Sequence, residues 1–480
     1  MRIELSAIVT AVAGLVLSCA ASPASAVEIG AAGQGQALIF PYYNAVGTNA
    51  SLISVSHGEL RDPTRPDLDP HPDGRLAAVQ IGVPLADGGR LAFIAYLPDG
   101  ASWTAAISSD GSGGAELLSV GLTCTYPRLP QREFAVSVVS DVDPTGHLEV
   151  FALGELPYSE ALAVAALPAF PLYQDADGTP LIPTPHDCSA IDASWAEGVW
   201  SENPAAGFLP PRNSLSGSLQ IVDLQRGVGL STSTVALVNF SDQVLHRDVE
   251  TSAVDWSDVR PARSMVMSRD GPLVSTWSES VDAVTAVLMA DATLEFWQNP
   301  DLALATDIVV TLPTRPLYGD EPRAPFRWST SISRDNRPKL DLRFVDRTGR
   351  PRAQGSGTGS LASPKCTPVV RGDARLPLDL PLQVLAFPVE GSIDPEAIAL
   401  YDSEGFDSNC EVELTVDPPA LFYGRAFVSG ESDPLVSLEG HRFRGIPGVV
   451  TALSRSSESF EGKSFGFQLP GSRRVRAELP

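Results

Sequence analysis

Proline and glycine constrain this chain more than any other feature. Past residue 26, every apolar run is broken by proline, glycine or a charge within about ten residues. A helix needs roughly 20 apolar residues to cross a bilayer, and none of these runs supplies them. What such runs do fit is short strands joined by tight turns. Hydrophobic residues make up 43% of the chain, too many for wholesale disorder.

Read in order, the runs 36–43, 50–56, 76–83, 91–97 and 102–107 are strands, separated by turns such as Asp87-Gly88-Gly89 and Asp99-Gly100. The runs 134–139 and 147–153 read as a hairpin across Asp143-Pro144-Thr145-Gly146. This spacing predicts a β-sandwich of about seven strands over 30–155. The next segment differs. An Ala-rich helix is expected at 159–167, then a stretch holding Pro168, Pro171, Pro180, Pro183 and Pro185, then a helix at 188–200. Strands resume at 218–224 and 231–240. At 280–289 the period changes: Val281, Val284, Val287 and Leu288 share one helical face, with Ser278 or Ser280 as the cap. Further strands are expected at 306–312, 339–345, 380–387, 411–416, 421–428 and 448–453, with a Gly/Ser loop at 354–363 and a loose Arg-rich tail at 472–480.

The expected organisation is a signal peptide (1–26), an N-terminal sandwich (27–155), an irregular Pro-rich segment (156–216), a second β-rich region with one helix (217–325), a C-terminal β-rich domain (326–460) and a tail (461–480). The fold class is mainly β: two or more Ig-like β-sandwich domains with a few short helices, stapled by disulfides.

Export rests on the first residues and on the cysteines. A largely apolar run from Leu5 to Leu17 is too short to span a bilayer and ends in Ala24-Ser25-Ala26, small enough for a signal peptidase. A second exit is Val16-Leu17-Ser18-Cys19, which resembles a lipobox; cleavage there leaves Cys19 as a lipid-bearing terminus and places the chain on a membrane. The soluble exit is the preferred one. The remaining cysteines, Cys124, Cys188, Cys366 and Cys410, are even in number, as in a disulfide framework. Sequence proximity favours Cys124–Cys188 and Cys366–Cys410 among three connectivities. None lies in a C-x-x-C, which argues against zinc.

The net charge of −24 repels nucleic acid and anionic surfaces. No G-x-S-x-G elbow, H-E-x-x-H pair or phosphate loop occurs. The six histidines, His57, His71, His147, His186, His246 and His441, include no pair four residues apart. Asp141–Gly146 opens like a calcium loop, but Ala152 stands where a bidentate Glu is required, and a turn is the better account. Asp175–Thr179 is a similar turn, 67–75 (DLDPHPDGR) could hold a cation loosely on the surface, and Arg371-Gly372-Asp373 is a chance tripeptide. Trp103, Trp195 and Trp200 are assigned to core packing. No catalytic residue, metal ligand or cofactor is expected.

Several segments together resemble a family of secreted bacterial proteins that begins with an "LFPYY" strand and continues into an Ig-like β-sandwich. They are 35–56 (GQGQALIFPYYNAVGTNASLISVS), 91–107, Cys124, Cys188, 215–227, and 281–318 with its TDIVVTLPTRPLY. The resemblance implies export and a β fold and brings no functional residue with it. The function expected is that of an exported envelope or extracellular protein, non-enzymatic, with a structural, adhesive or binding role. Its partners would be copies of itself or other envelope proteins. The alternative is a secreted hydrolase using carboxylates from separate strands.

Overall fold

A computed structural model of the chain describes residues 25–58, 74–120, 123–132, 136–160, 188–298, 304–319, 323–326, 339–346, 375–377, 381–387, 392–393, 398–399, 422–431, 433–456, 466–469 and 471–479. The short apolar runs form strands, and the pairs between them are antiparallel except Leu382–Phe387 with Ile398–Ala399.

Two sheets build the first sandwich. One runs Glu28–Ile29, Val235–Val238, Ala37–Asn44, Thr145–Pro157, Arg75–Pro84, Arg90–Pro98, Cys124–Tyr126. The other runs Gln131–Arg132, Val136–Val142, Ala115–Val120, Ser102–Ser109, Asn49–His57, Leu215–Asp223, Val228–Ser233. The first sheet is buried on both faces, which explains its unbroken apolar runs. Successive side chains of a strand point to opposite faces. Leu38, Phe40, Val79, Ile81, Phe93 and Val150 therefore enter a core shared with Ile53, Val55, Trp103 and Ile107 of the second sheet. Their neighbours Ala37, Ile39, Ala78, Ile94 and Phe151 enter a second core, under the helices and the C-terminal strands.

Pro41 lies inside a central strand although it has no N–H to give. Its own strand accommodates it with a bulge: Gly146 pairs with Tyr43 and Leu148 with Phe40, so Pro41 and Tyr42 together stand opposite His147.

The C-terminal half repeats the principle. Arg375–Pro377, Lys339–Asp346, Phe422–Glu431 and Met289–Gln298 form one sheet, extended by Ile446–Pro447 and Gly471–Arg474. Ile398–Ala399, Leu382–Phe387, Leu304–Thr311, Val449–Ser456 and Gly466–Leu469 form the other. Leu294, Phe296 and Val428 meet Ile308, Val310 and Ala452 across their shared core. The two halves also share a core, since Val309, Val384, Ile393 and Leu453 pack with the first sandwich. Polar bonds cross the same junction: Thr311 Oγ1 donates to the Pro41 carbonyl (2.5 Å), Asn44 Nδ2 to the Ile393 carbonyl (2.9 Å), and the Ser233 amide to Gln468 Oε1 (2.7 Å). Among the described residues no helix is long and apolar enough to cross a membrane.

Several expectations need correction. The strands either side of 143–144 are no hairpin. Val136–Val142 pairs with Ala115–Val120 in one sheet, and Thr145–Pro157 pairs with Arg75–Pro84 and Ala37–Asn44 in the other. Asp141 adopts φ 60°, and its carbonyl accepts from the Ala86 amide, so the chain crosses between sheets instead of doubling back. The strands at 215–238 belong with the first sandwich and not with a region starting at 217. Leu215–Asp223 pairs along its whole length with Asn49–His57, and the expected 231–240 strand divides at Thr234 between the two sheets. The expected 188–200 helix is two, Ser189–Ala196 and Val199–Glu202, broken at Gly198, where an added Cβ would lie 2.6 Å from Ser194 Cα.

The helix Ser280–Leu288 forms, but its N-cap is Glu279 with no side-chain cap bond, and Val281 to Leu288 are all buried, so no polar face remains. The tail is not loose. Gly471–Arg474 pairs with Met289–Gln298, and Arg476–Glu478 with Arg442–Arg444. The Arg473 guanidinium donates to the carbonyls of Val287 (3.1 Å) and Leu288 (2.7 Å), capping the helix C-terminus, where a cation is favoured. Of the expected helix at 159–167, Ser159 and Glu160 are in a turn and the rest lies outside the described residues, as do the expected elements at 354–363 and 411–416.

Candidate functional site

The chemistry of the described residues gathers in three places. The first is the strand Thr145–Pro157, which carries two buried carboxylates. Glu149 and Glu155 are six residues apart, an even spacing that by strand geometry puts both on one face. A bulge between Ala152 and Gly154 reverses the alternation, and the two point to opposite sides of the sheet.

Glu149 faces the helical side. It accepts from Trp256 Nε1 (2.7 Å), lies 3.2 Å from His147 Nε2 and is in ion-pair contact with Arg90. Burial pushes its pKa up, but Arg90, His147 and the indole outweigh burial and hold it at about 2. Glu155 faces the second sheet. Its oxygens take Arg75 Nη1 (2.9 Å), Arg212 Nε (2.6 Å) and Ser214 Oγ (3.2 Å), with His57 Nε2 at 3.4 Å. Burial again raises its pKa, and the bond to His57, its attraction and Arg212 pull it to about 2. His57 is buried, and its Nδ1 has no hydrogen-bond partner among the described residues. Asp282 is a third case, accepting from Tyr318 Oη and Arg323 Nη1, each at 2.7 Å. Asp291 differs: burial raises its pKa, while Arg476 at 2.9 Å opposes the rise.

The second place is an aromatic cluster beside a disulfide. Cys124 and Cys188 are joined (S–S 2.05 Å), as expected from proximity. The bond fastens helix Ser189–Ala196 to the sheet edge, where Trp195 stacks on Tyr126 at 4.2 Å between centroids. Trp200 stacks on Tyr96 (5.6 Å), and Phe208 on His246 (4.0 Å). A hydrogen-bond chain runs through them. Trp195 Nε1 donates to Tyr96 Oη (2.9 Å), the hydroxyl lies 3.0 Å from His246 Nε2, and His246 Nδ1 is 2.5 Å from the Pro204 carbonyl. These partners assign the ring proton to Nδ1 and leave the imidazole neutral. The tryptophans are core residues, as is Trp103 against Phe93.

Breaking Cys124–Cys188 removes a cross-link over a sequence separation of 64 residues. The expected loss is about 2–4 kcal/mol. Urea denaturation of Cys124→Ser/Cys188→Ser should show a lower midpoint, and limited proteolysis should cut first within Ser189–Glu202, the helices the bond fastens. An unchanged midpoint would contradict this role.

The third place is a crevice of about 220 Å³ between the two halves. Pro41 and Val235 form one wall, Leu294, Val450 and Leu469 the other, and Arg473 stands at its margin.

Among the described residues no group of three or more His, Cys, Asp or Glu side chains converges as metal ligands would. The Asp141–Gly146 segment acts as a turn, with Asp143 Oδ1 accepting from the Thr145 amide (3.2 Å). Cys19, Cys366, Cys410, His71, His186, residues 67–73 and 175–179, and Arg371-Gly372-Asp373 lie outside the described residues. Comparison with protein-family models, with curated proteins and with solved structures gives no match.

Proposed function

We propose that this is an exported, non-enzymatic protein of the cell envelope or extracellular space, with a structural, adhesive or binding role, built on Ig-like sandwiches. One observation carries the non-enzymatic part. Glu149 and Glu155, the carboxylates with the most displaced pKa values on the central sheet, are each matched by arginine and held ionised down to about pH 2. Glycoside cleavage by a carboxyl pair needs the opposite, one acid kept protonated near neutrality. Their opposite orientations on one strand also fail to make a pair. The Cys124–Cys188 bond supports export, since such bonds persist in oxidising compartments. The junction packing supports presentation of rigid surfaces to copies of the chain or to other envelope proteins. Membrane attachment would come through a lipid on Cys19.

The test is fractionation of the producing cell followed by native mass measurement and a turnover screen. The expected result is an oxidised protein in the periplasmic, surface or extracellular fraction that leaves polysaccharide, ester and peptide substrates intact. Labelling with palmitate that vanishes in Cys19→Ser would show the lipidated form. A cytosolic protein with free thiols, or turnover of any of the substrates, would overturn the proposal.

A further inference from the structure

We infer that the crevice between the two halves is a binding site for a small organic carboxylate with a short apolar body. This deepens the binding reading above and rests on it. The crevice is walled mainly by Pro41, Val235, Leu294, Val450 and Leu469, which suit an apolar body. Its volume of about 220 Å³ exceeds the roughly 150 Å³ cavity that accommodates benzene, so about eight to ten non-hydrogen atoms fit.

The sign of the ligand follows from charge. Among the described residues lining the crevice Arg473 is the one charged side chain, in a chain of net charge −24. Its partners among the described residues are two main-chain carbonyls, Val287 and Leu288, both contacted through Nη2. Carbonyls at a helix end supply a fraction of a charge and no counter-ion. Every other group of the guanidinium is left to bond elsewhere, and a guanidinium presents its donors in a fork that matches a carboxylate. Arg473 is itself exposed, so these remaining donors are open to a ligand that enters from solvent. Thr451, also in the lining, accepts at Oγ1 from Gln468 Nε2 (2.7 Å), which leaves its own hydroxyl hydrogen to donate to a second oxygen.

Hexanoate, with hexan-1-ol as the uncharged control, tests this by calorimetry and ligand-observed NMR on the full chain. Hexanoate should bind saturably with Kd about 0.1–1 mM, a range set by ligand size. Hexan-1-ol should bind about tenfold more weakly or worse, one lost charge-assisted contact. Val450→Trp, which fills the crevice, should abolish binding, and Arg473→Gln should reduce hexanoate to the level of the alcohol, with thermal melts run beside both. If Arg473→Gln fails to fold, the acid-to-alcohol ratio on the unaltered chain decides the charge. No saturable hexanoate binding, equal affinity for the alcohol, or binding unaffected by Val450→Trp would overturn the inference. Hexanoate has no bond to hydrolyse, so failure here leaves the non-enzymatic reading standing, and turnover in the substrate screen removes that reading without bearing on the crevice.

Discussion

Glu155→Ala is expected to lower the stability of the fold by about 3–5 kcal/mol, because it strips the anion from a buried cluster of cations. Glu155 is 1% exposed and its carboxylate is shared by His57, Arg75, Arg212 and Ser214. Arg75 and Arg212 retain 28% and 42% side-chain exposure, so part of their charge can turn to water. The His57 ring has no such access to water: it is buried, with Nδ1 already unpartnered among the described residues. The amide bonds at this position survive the substitution, and what is lost beside the charge is the anchor of Arg212. Glu155 and Leu209 exchange both amide bonds (3.0 and 2.8 Å), and the Glu155 carboxylate draws the Arg212 side chain onto the same strand. The residue thus fastens 209–214, the segment that leads into Leu215–Asp223. Glu155→Gln keeps shape and some bonds, and should lose about half as much. Arg212→Ala should lose about 1 kcal/mol or less, since Arg75 remains and the lost cation is partly solvated. Urea midpoints of the three variants decide the order. A loss below about 1 kcal/mol for Glu155→Ala would mean that the cluster is not stabilising.

Most strands were legible because turn residues and apolar runs are local signals, and local signals fix where a strand lies. Sheet membership is not local. Asp143-Pro144-Thr145-Gly146 has hairpin chemistry, yet the bond from Ala86 to Asp141 sends the next strand to the opposite sheet. Likewise the 231–240 run reads as one strand, and only the pairing with two different partners divides it at Thr234. The strand Met289–Gln298 escaped notice because Asp291 and Glu295 interrupt its apolar pattern, and both face away from the core that Ala292, Leu294 and Phe296 enter. The Arg-rich tail looked like a solvated end. Its arginines meet helix carbonyls and Asp291, partners far away in sequence. One signal for the buried clusters was present. Glu149 and Glu155 stand in the apolar run HLEVFALGELP, where a carboxylate is costly unless paired. Gly154 beside Glu155 hinted at the bulge that separates them, but their arginines come from other strands and from loops.

Acid should lower the stability of this protein in two successive stages, and the signs of three shifted groups set the stages. His246 is 3% exposed and neutral. Burial lowers its pKa from 6.5 to about 4, against the pull of the Pro204 carbonyl. As pH falls below 6.5 the unfolded chain takes up this proton first, so stability declines from pH 6.5 to about 4, by about 3 kcal/mol in all. Glu149 and Glu155 then follow. Their folded values of about 2 lie below the 4.5 of the unfolded chain, so the stability they contribute is complete above pH 4.5 and is lost as pH falls toward 2, about 3 kcal/mol for each. Together the three amount to about 9 kcal/mol, within the range of a whole domain's stability. Urea midpoints measured from pH 7.5 to 3 should therefore show a shallow fall beginning near 6.5 and a steeper one below 4.5. His246→Gln should flatten the first limb and leave the second; Glu155→Gln should leave the first and reduce the second by about half, the Glu149 share remaining. The cross-link Cys124–Cys188 does not titrate and should hold helix Ser189–Ala196 near its sheet even when the aromatic cluster around His246 opens. Near-UV signal from Trp195 and Trp200 should stay native down to about pH 4, where the folded imidazole itself takes up its proton. A midpoint flat between pH 7 and 5, or a first limb that survives His246→Gln, would show that the buried imidazole does not govern it.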